Sequence, residues 1–480
     1  MKQFILVPIL IFLLQLNANA FCGFYVAKAD TKIYNNASQV ILVRDGNKTI
    51  ITMSNDFQGD VKDFAMVVPV PNVLKKSDIK VSNQLLFDKL DAYSAPRLVE
   101  YYDQNPCMQY HPAPVAKMSR METLAESDSY KEKKDASNYG VQIKAKYTVG
   151  EYDILILGAS ESSGLKNWLI DHGYKIPAEA EEVLTPYILS KMNFFVAKVN
   201  LKNYAKNDFQ QLSPLQIKIN SPKFMLPIRL GMANSKGNQD LIIYSFSKNG
   251  KIECTNYRTV NMPTAIDMPV FIKDNFNKFY KDLFKKQWKR QNENVVFTEY
   301  AWDVSPRNFV KCDPCVSDPP DFNDIKDAGV NWWNDETEQV YPDRNGNIFF
   351  TRLHVRYNRK SFAQDLRFQE TGNLSNWQAR YVLHHTANGD LSCNEGQRYI
   401  NTVVSRRETE LANLEKYVGW NKSKYTNYVQ EWRNKVSPYY QNENRKKGNL
   451  SEIFGKNWAA VFIFLIFQIS IVFSILKFKK

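Results

Sequence analysis

The chain has 480 residues, of which 44% are apolar and 13% aromatic, and a formal net charge of +13. That apolar content excludes a chain disordered throughout, and the length allows two or three domain-sized cores. The basic residues form no compact block interleaved with aromatics, so the charge gives no argument for nucleic acid; it suits contact with anionic headgroups or acidic polymers.

Residues 1–20 read as a secretory signal. Lys2 supplies the positive start, Phe4 to Leu14 the apolar run, and Ala18-Asn19-Ala20 the small residues at a cleavage site. The run is short of the roughly 20 apolar residues of a comfortable span, which disfavours the alternative of an uncleaved anchor. Bulky Phe21 before Cys22 argues against a lipoprotein signal.

Residues 21–112 read as a β-rich part. The runs Ser38 to Val43 and Thr49 to Met53 flank Asp45-Gly46-Asn47, a hairpin signal. Phe64 to Val70 ends in Pro69-Val70-Pro71, and proline cannot donate to a ladder, so an edge or exit strand is expected there. Ser82 to Tyr93 reads as a helix with Leu85, Leu86, Leu90 and Tyr93 on one side. Residues 113–138, rich in Ser, Lys, Glu and Ala, read as a polar linker.

Residues 139–265 read as an α/β part. The order is a strand at Tyr152 to Leu157, a helix capped by Ser162 or Ser163, a helix over Ala178 to Lys191 despite Pro186, and a strand at Phe194 to Val199. Phe224 to Leu230 and Leu241 to Phe246 continue as strands, the second turning at Asn249-Gly250 towards Cys254.

Residues 266–440 read as a C-terminal α+β part. Phe271 to Arg290 is an amphipathic helix with Ile272, Phe276, Phe279, Leu283 and Trp288 on one face and lysines on the rest. It is read as docked on a core; the alternative is a helix lying on an anionic membrane surface. Asn345-Gly346 and Asn388-Gly389 each suggest a hairpin, and helices are expected over Thr402 to Val418 and Tyr425 to Val436.

Residues 441–457 form a polar juxtamembrane stalk. Residues 458–476 then carry only Gln468, Ser470 and Ser474 as polar side chains. At 1.5 Å per residue this stretch reaches about 28 Å, near the thickness of a hydrocarbon core. Lys477, Lys479 and Lys480 close the chain as a cytoplasmic tail of residues 477–480. With Lys2, they hold four of the thirteen net charges, leaving about +9 on the body. The expected location is the cell membrane, single-pass, with the body on the extracytoplasmic side.

All six cysteines, Cys22, Cys107, Cys254, Cys312, Cys315 and Cys393, lie in that body, and an even number in an oxidising compartment reads as disulfides. The expected pairs are Cys22–Cys107, Cys312–Cys315 and Cys254–Cys393. Cys312-Asp313-Pro314-Cys315 also has the spacing of a thiol–disulfide exchange site, but Asp313 would raise a neighbouring thiol pKa and Pro319-Pro320 follows, so a structural disulfide is the favoured reading. No second C-x-x-C exists, and no metal site is read. In Thr351-Arg352-Leu353-His354-Val355-Arg356-Tyr357, strand alternation puts Arg352, His354 and Arg356 on one face, a candidate strip for carboxylate or phosphate. The plainer reading is a half-exposed strand whose arginines pair with nearby acids such as Asp365 and Glu370.

Several stretches together resemble the bacterial family called domain of unknown function 2330. They are Phe21-Cys22-Gly23-Phe24-Tyr25-Val26-Ala27, Asp63-Phe64-Ala65-Met66-Val67-Val68-Pro69-Val70-Pro71, Leu226-Pro227-Ile228-Arg229-Leu230, Cys312-Asp313-Pro314-Cys315 and the strand Thr351 to Tyr357. The resemblance runs from Phe21 to about Trp420. It implies an exported, membrane-associated bacterial protein and carries over no catalytic residue.

The expected fold is α+β: antiparallel sheets with packed helices in a disulfide-stapled exported body, plus one C-terminal transmembrane helix. The expected role is that of a binding or scaffolding module without a cofactor. Its partners are the lipid bilayer, through the C-terminal helix, and an envelope protein or anionic polymer. The alternative is an envelope enzyme using Cys312 and Cys315, or the Arg352, His354 and Arg356 strip.

Overall fold

A computed structural model of the chain describes residues 24–25, 38–54, 65–108, 140–172, 180–206, 212–234, 237–305, 317–332 and 347–439. The signal, the linker, the stalk, the anchor and tail, Cys22, Cys312, Cys315 and the Asn345-Gly346 turn lie outside the described residues. Among the described residues no helix is long and apolar enough to cross a membrane.

The fold is α+β, with mostly antiparallel sheets and several helices. The chain forms two compact units, and among the described residues it passes between them at Arg97/Leu98, Thr264/Ala265, Lys286/Gln287 and Arg380/Tyr381.

The first unit is built on a nine-stranded sheet. Its order is Arg258–Asn261, Val295–Asp303, Phe349–Tyr357, Gln239–Ser247, Ser38–Asp45, Lys48–Met53, Leu215–Asn220 and Ile79–Val81, with Trp377–Gln378 also paired to Val295–Asp303. It therefore takes strands from all three expected parts, 21–112, 139–265 and 266–440. A hydrophobic pattern reports which side chains face a core, not which strands are neighbours. Two of its pairs are parallel: Ser38–Asp45 with Gln239–Ser247, and Arg258–Asn261 with Val295–Asp303. The hairpin at Asp45-Gly46-Asn47 forms, with Asp45 opposite Lys48 and Gly46 at φ +56°.

A five-stranded sheet runs Phe24–Tyr25, Ala65–Val70, Asn193–Val199, Tyr152–Ala159, Val141–Val149. The strand Ala65–Val70 is not an edge: it is buried along its whole length. Met66 and Val68 pack with Val40, Leu42 and Leu353 of the large sheet, while Ala65 and Val67 face Leu165 and Trp168 of the helix Ser162–Asp171. Burial on both faces makes the run continuously apolar rather than alternating. Pro69 is tolerated because Phe24–Tyr25 pairs only at Met66 and Val67, leaving Pro69 past the described ladder on that side. The expected strand Phe224 to Leu230 shrinks to Met225–Leu226, since Pro227 comes directly after it.

The helix Gln84–Ser94 covers the other face of the large sheet. Leu86, Phe87, Leu90 and Tyr93 pack against Ile41, Val43, Ile242, Tyr244 and Phe350, while Leu85 is exposed. Each such side chain taken from water contributes about 1.5–3 kcal/mol.

The second unit contains the short sheet Ile266–Asp267, Arg380–His385, Arg97–Tyr102, in which the first pair is parallel. Phe279, Leu283 and Phe284 of the helix Phe276–Arg290 are buried, with the Phe279 ring 5.1 Å from Tyr381 and 6.5 Å from Trp420. Its apolar face is therefore docked, and the membrane-surface reading has none left to offer. The helix expected from Thr402 begins at Asn394, eight residues earlier. Its cap is Cys393, whose sulfur accepts from the Gly396 N–H at 3.2 Å, a residue outside the usual Ser, Thr, Asp, Asn set. Asn388-Gly389 leads into this helix and closes no hairpin.

Candidate functional site

The strip predicted at Arg352, His354 and Arg356 forms, but in a different setting from that expected. The strand Phe349–Tyr357 lies between Gln239–Ser247 and Val295–Asp303, antiparallel to both. Leu353, Val355 and Tyr357 enter the core from one face. On the other, Arg352 and His354 are buried rather than half-exposed, at 5% and 9% of full accessibility.

Three carboxylates meet them, each brought by a different element. Asp240 stands directly across the ladder from Arg356 and takes both its Nε and Nη2 at 2.7 Å. Glu299 sits at a bulge, where the register shifts between Thr298 and Tyr300. Alternation from Phe297, which pairs with His354, puts its side chain on the strip's face. Its carboxylate accepts from Arg352 Nε at 2.7 Å and faces His354 Nδ1 at 2.7 Å. Asp91, from the helix Gln84–Ser94, accepts from Arg352 Nη1 at 2.6 Å and from the Tyr244 hydroxyl at 2.8 Å. His354 Nε2 lies 3.3 Å from Asp240, which links the two ends. Trp288 completes the rim: its indole donates to the Arg356 carbonyl at 3.0 Å and its ring stands 5.9 Å from that guanidinium.

Burial opposes the charge on His354, but Glu299 and Asp240 outweigh it and raise its pKa above the usual value. Burial likewise opposes the charge on Asp240, and His354 and Arg356 hold it well below the usual carboxylate range. With His354 protonated, three cations balance three carboxylates. The cations of the strip are paired with carboxylates, and an incoming anion would have to displace acids already at hydrogen-bond distance.

The acids expected as partners are engaged elsewhere. Asp365 accepts from the Ile228 and Arg229 N–H groups and the Tyr187 hydroxyl. Glu370 accepts from the N–H groups of Lys248 and Asn249. Sequence reasoning missed Asp91, Asp240 and Glu299. Only Asp240 carried a signal, an acid opening a β-rich run.

The cysteines differ from the expected pairing. Cys107 bonds to Cys393, so neither Cys22–Cys107 nor Cys254–Cys393 forms. Six cysteines allow 15 pairings, and spacing cannot choose among distant ones. Gly396 shows how tightly the bridge is set: a Cβ there would meet the Leu391 carbonyl oxygen at 2.3 Å and Cys107 Sγ at 2.9 Å. Cys254 is free and buried on the strand Ile252–Cys254, and burial pushes its thiol pKa up, towards the unreactive thiol form. Among the described residues no cluster of His, Cys, Asp and Glu is arranged to hold a metal ion.

The model of a bacterial family, described as "Uncharacterized protein conserved in bacteria (DUF2330)", matches residues 16–369. The chain belongs to the DUF2330 family. The match contains every strand of the large sheet except Trp377–Gln378, and all six members of the ion network. It ends before Trp420, short of the span the sequence suggested, so the helix Asn394–Asn413 and the residues after it are additional to the region shared with DUF2330. No curated protein and no solved structure matches the chain.

Proposed function

We propose that this DUF2330 protein is a binding or scaffolding module of the bacterial envelope, tethered to the membrane by residues 458–476 with its body on the extracytoplasmic side. The observation that carries the reading is the Cys107–Cys393 disulfide, which joins residues 286 apart. Such bridges persist in oxidising compartments and are rare where thiols are kept reduced. The signal-like residues 1–20 and the apolar stretch 458–476 support the same side of the membrane.

The pairing of Arg352 and Arg356 with Asp91, Glu299 and Asp240 supports a non-enzymatic role. The partner chemistry is an envelope protein or an anionic polymer, met by a mildly basic body.

The test is topology in living cells. In bacteria expressing the full chain, protease added to intact spheroplasts should digest the body. Alkylation under denaturing, non-reducing conditions should leave Cys107 and Cys393 unlabelled. A body that resists protease until the inner membrane is broken, or that labels at both cysteines, would sink the proposal.

A further inference from the structure

The second unit holds a buried acid that the proposed role leaves unused. Glu410 lies on the helix Asn394–Asn413, fully buried, just before the helix widens into the π turn Leu414–Val418. Its Oε2 accepts from the Tyr428 hydroxyl at 2.7 Å, and Tyr428 belongs to the helix of residues 427–439. Among the described residues its Oε1 has no hydrogen-bond partner. The facing cation, Arg406 Nε, stands 3.6 Å away and is itself without one there.

Charged groups of neighbouring elements surround this pair; Arg433 of the facing helix lies 3.4 Å from Glu408, and Lys422 lies 3.8 Å from Glu415. Arg406 is committed to Asp103, just past the strand Arg97–Tyr102, at 2.7 Å, and Tyr399 donates to the same carboxylate oxygen at 2.6 Å. Arg407 stacks 4.2 Å from the Tyr428 ring centroid and donates to its carbonyl. From the short sheet, His384 sits 3.3 Å from Asp267 and 3.9 Å from Asp103.

We propose that this junction is a pH-responsive latch: neutral Glu410 keeps the helix of residues 427–439 seated on the helix Asn394–Asn413, and its ionisation loosens that packing. The proposal does not rest on the location argued above. An anion here would have one hydrogen bond, and the facing guanidinium is already shared with Asp103. A buried carboxylate so poorly paired is relieved by water, and parting of the two helices would admit it. Burial pushes the Glu410 carboxyl up to about 7; Tyr428, Arg406 and Arg407 work against the rise and Asp267 adds to it. The π turn next to it is a break in the regular ladder of the kind found at functional sites.

The test is hydrogen exchange by mass spectrometry on the full chain at pH 5.5 and 8.5, corrected for the intrinsic exchange rate. Protection of residues 427–439 should fall by at least about tenfold at the higher pH. Glu410→Gln, which fixes the neutral form, should hold protection constant, while His384→Gln should keep the wild-type step. A step that survives in Glu410→Gln, or vanishes only in His384→Gln, overturns the proposal. Should Glu410→Gln fail to fold, carbon-13 NMR of wild-type side-chain carboxyls decides. One glutamate titrating near 7 supports the latch, and all of them titrating below about 5 refutes it.

Discussion

Arg352 holds its site through geometry rather than charge alone. Its Nε serves Glu299 and its Nη1 serves Asp91, so one planar head reaches two acids on two elements. Arg352→Ala leaves Glu299 charged at 1% exposure. Removing one partner of a buried pair costs about 3–5 kcal/mol, and urea unfolding should show that loss. Arg352→Lys should recover little of it, because a single ammonium cannot bridge both carboxylates. His354 adds a pH dependence of known sign. Its pKa is raised in the folded chain, so its contribution is complete below the unfolded value of about 6.5 and is lost as pH rises through the folded value. Asp240 works oppositely: its pKa is lowered, so its contribution is present above about 3.9 and fades only as pH falls through the folded value. Unfolding measured from pH 6 to 9 should therefore show stability falling, and His354→Gln should flatten that fall. An unchanged slope in the variant would remove His354 from the network.

At the scale of elements, two local departures from regularity set the chemistry. Glu299 stands at the bulge in Val295–Asp303, where the register shifts between Thr298 and Tyr300, and it meets both Arg352 and His354. The start of the helix Asn394–Asn413 depends on Gly396, where backbone and disulfide press on the Cα. Gly396→Ala should be destabilising even though alanine favours helices by about 1 kcal/mol. A Cβ at 2.3 Å from a carbonyl oxygen must move backbone, not a flexible side chain. The check is the yield of the Cys107–Cys393 bond by non-reducing peptide mapping, which should drop. A full yield with unchanged melting would show that the turn relaxes freely.

For the whole molecule, the disulfide and the ion network belong to different units. Cys107→Ser with Cys393→Ser should cost the second unit about 2–5 kcal/mol. Hydrogen exchange should show lower protection over residues 394–439 and unchanged protection over the strand Phe349–Tyr357. Equal losses in both would mean that the two units unfold as one. The DUF2330 match covers the network and stops at residue 369, so the helix Asn394–Asn413 and the Glu410 junction are features of this chain outside the matched span.

What could be read from sequence was local and periodic. Alternation put Arg352, His354 and Arg356 on one face, Asp45-Gly46-Asn47 marked its hairpin, and the stripe of Phe279 and Leu283 marked a docked helix face. Each needs only neighbours within a few residues. The strip's meaning was out of reach, because its acids come from positions 91, 240 and 299, joined by a cross-strand register, a bulge and a helix docked over the sheet. The same limit explains the cysteines and the two units: pairing Cys107 with Cys393, or Ser38–Asp45 with Gln239–Ser247, is a choice between distant segments. Only the closed core, by fixing which segments lie side by side, makes that choice.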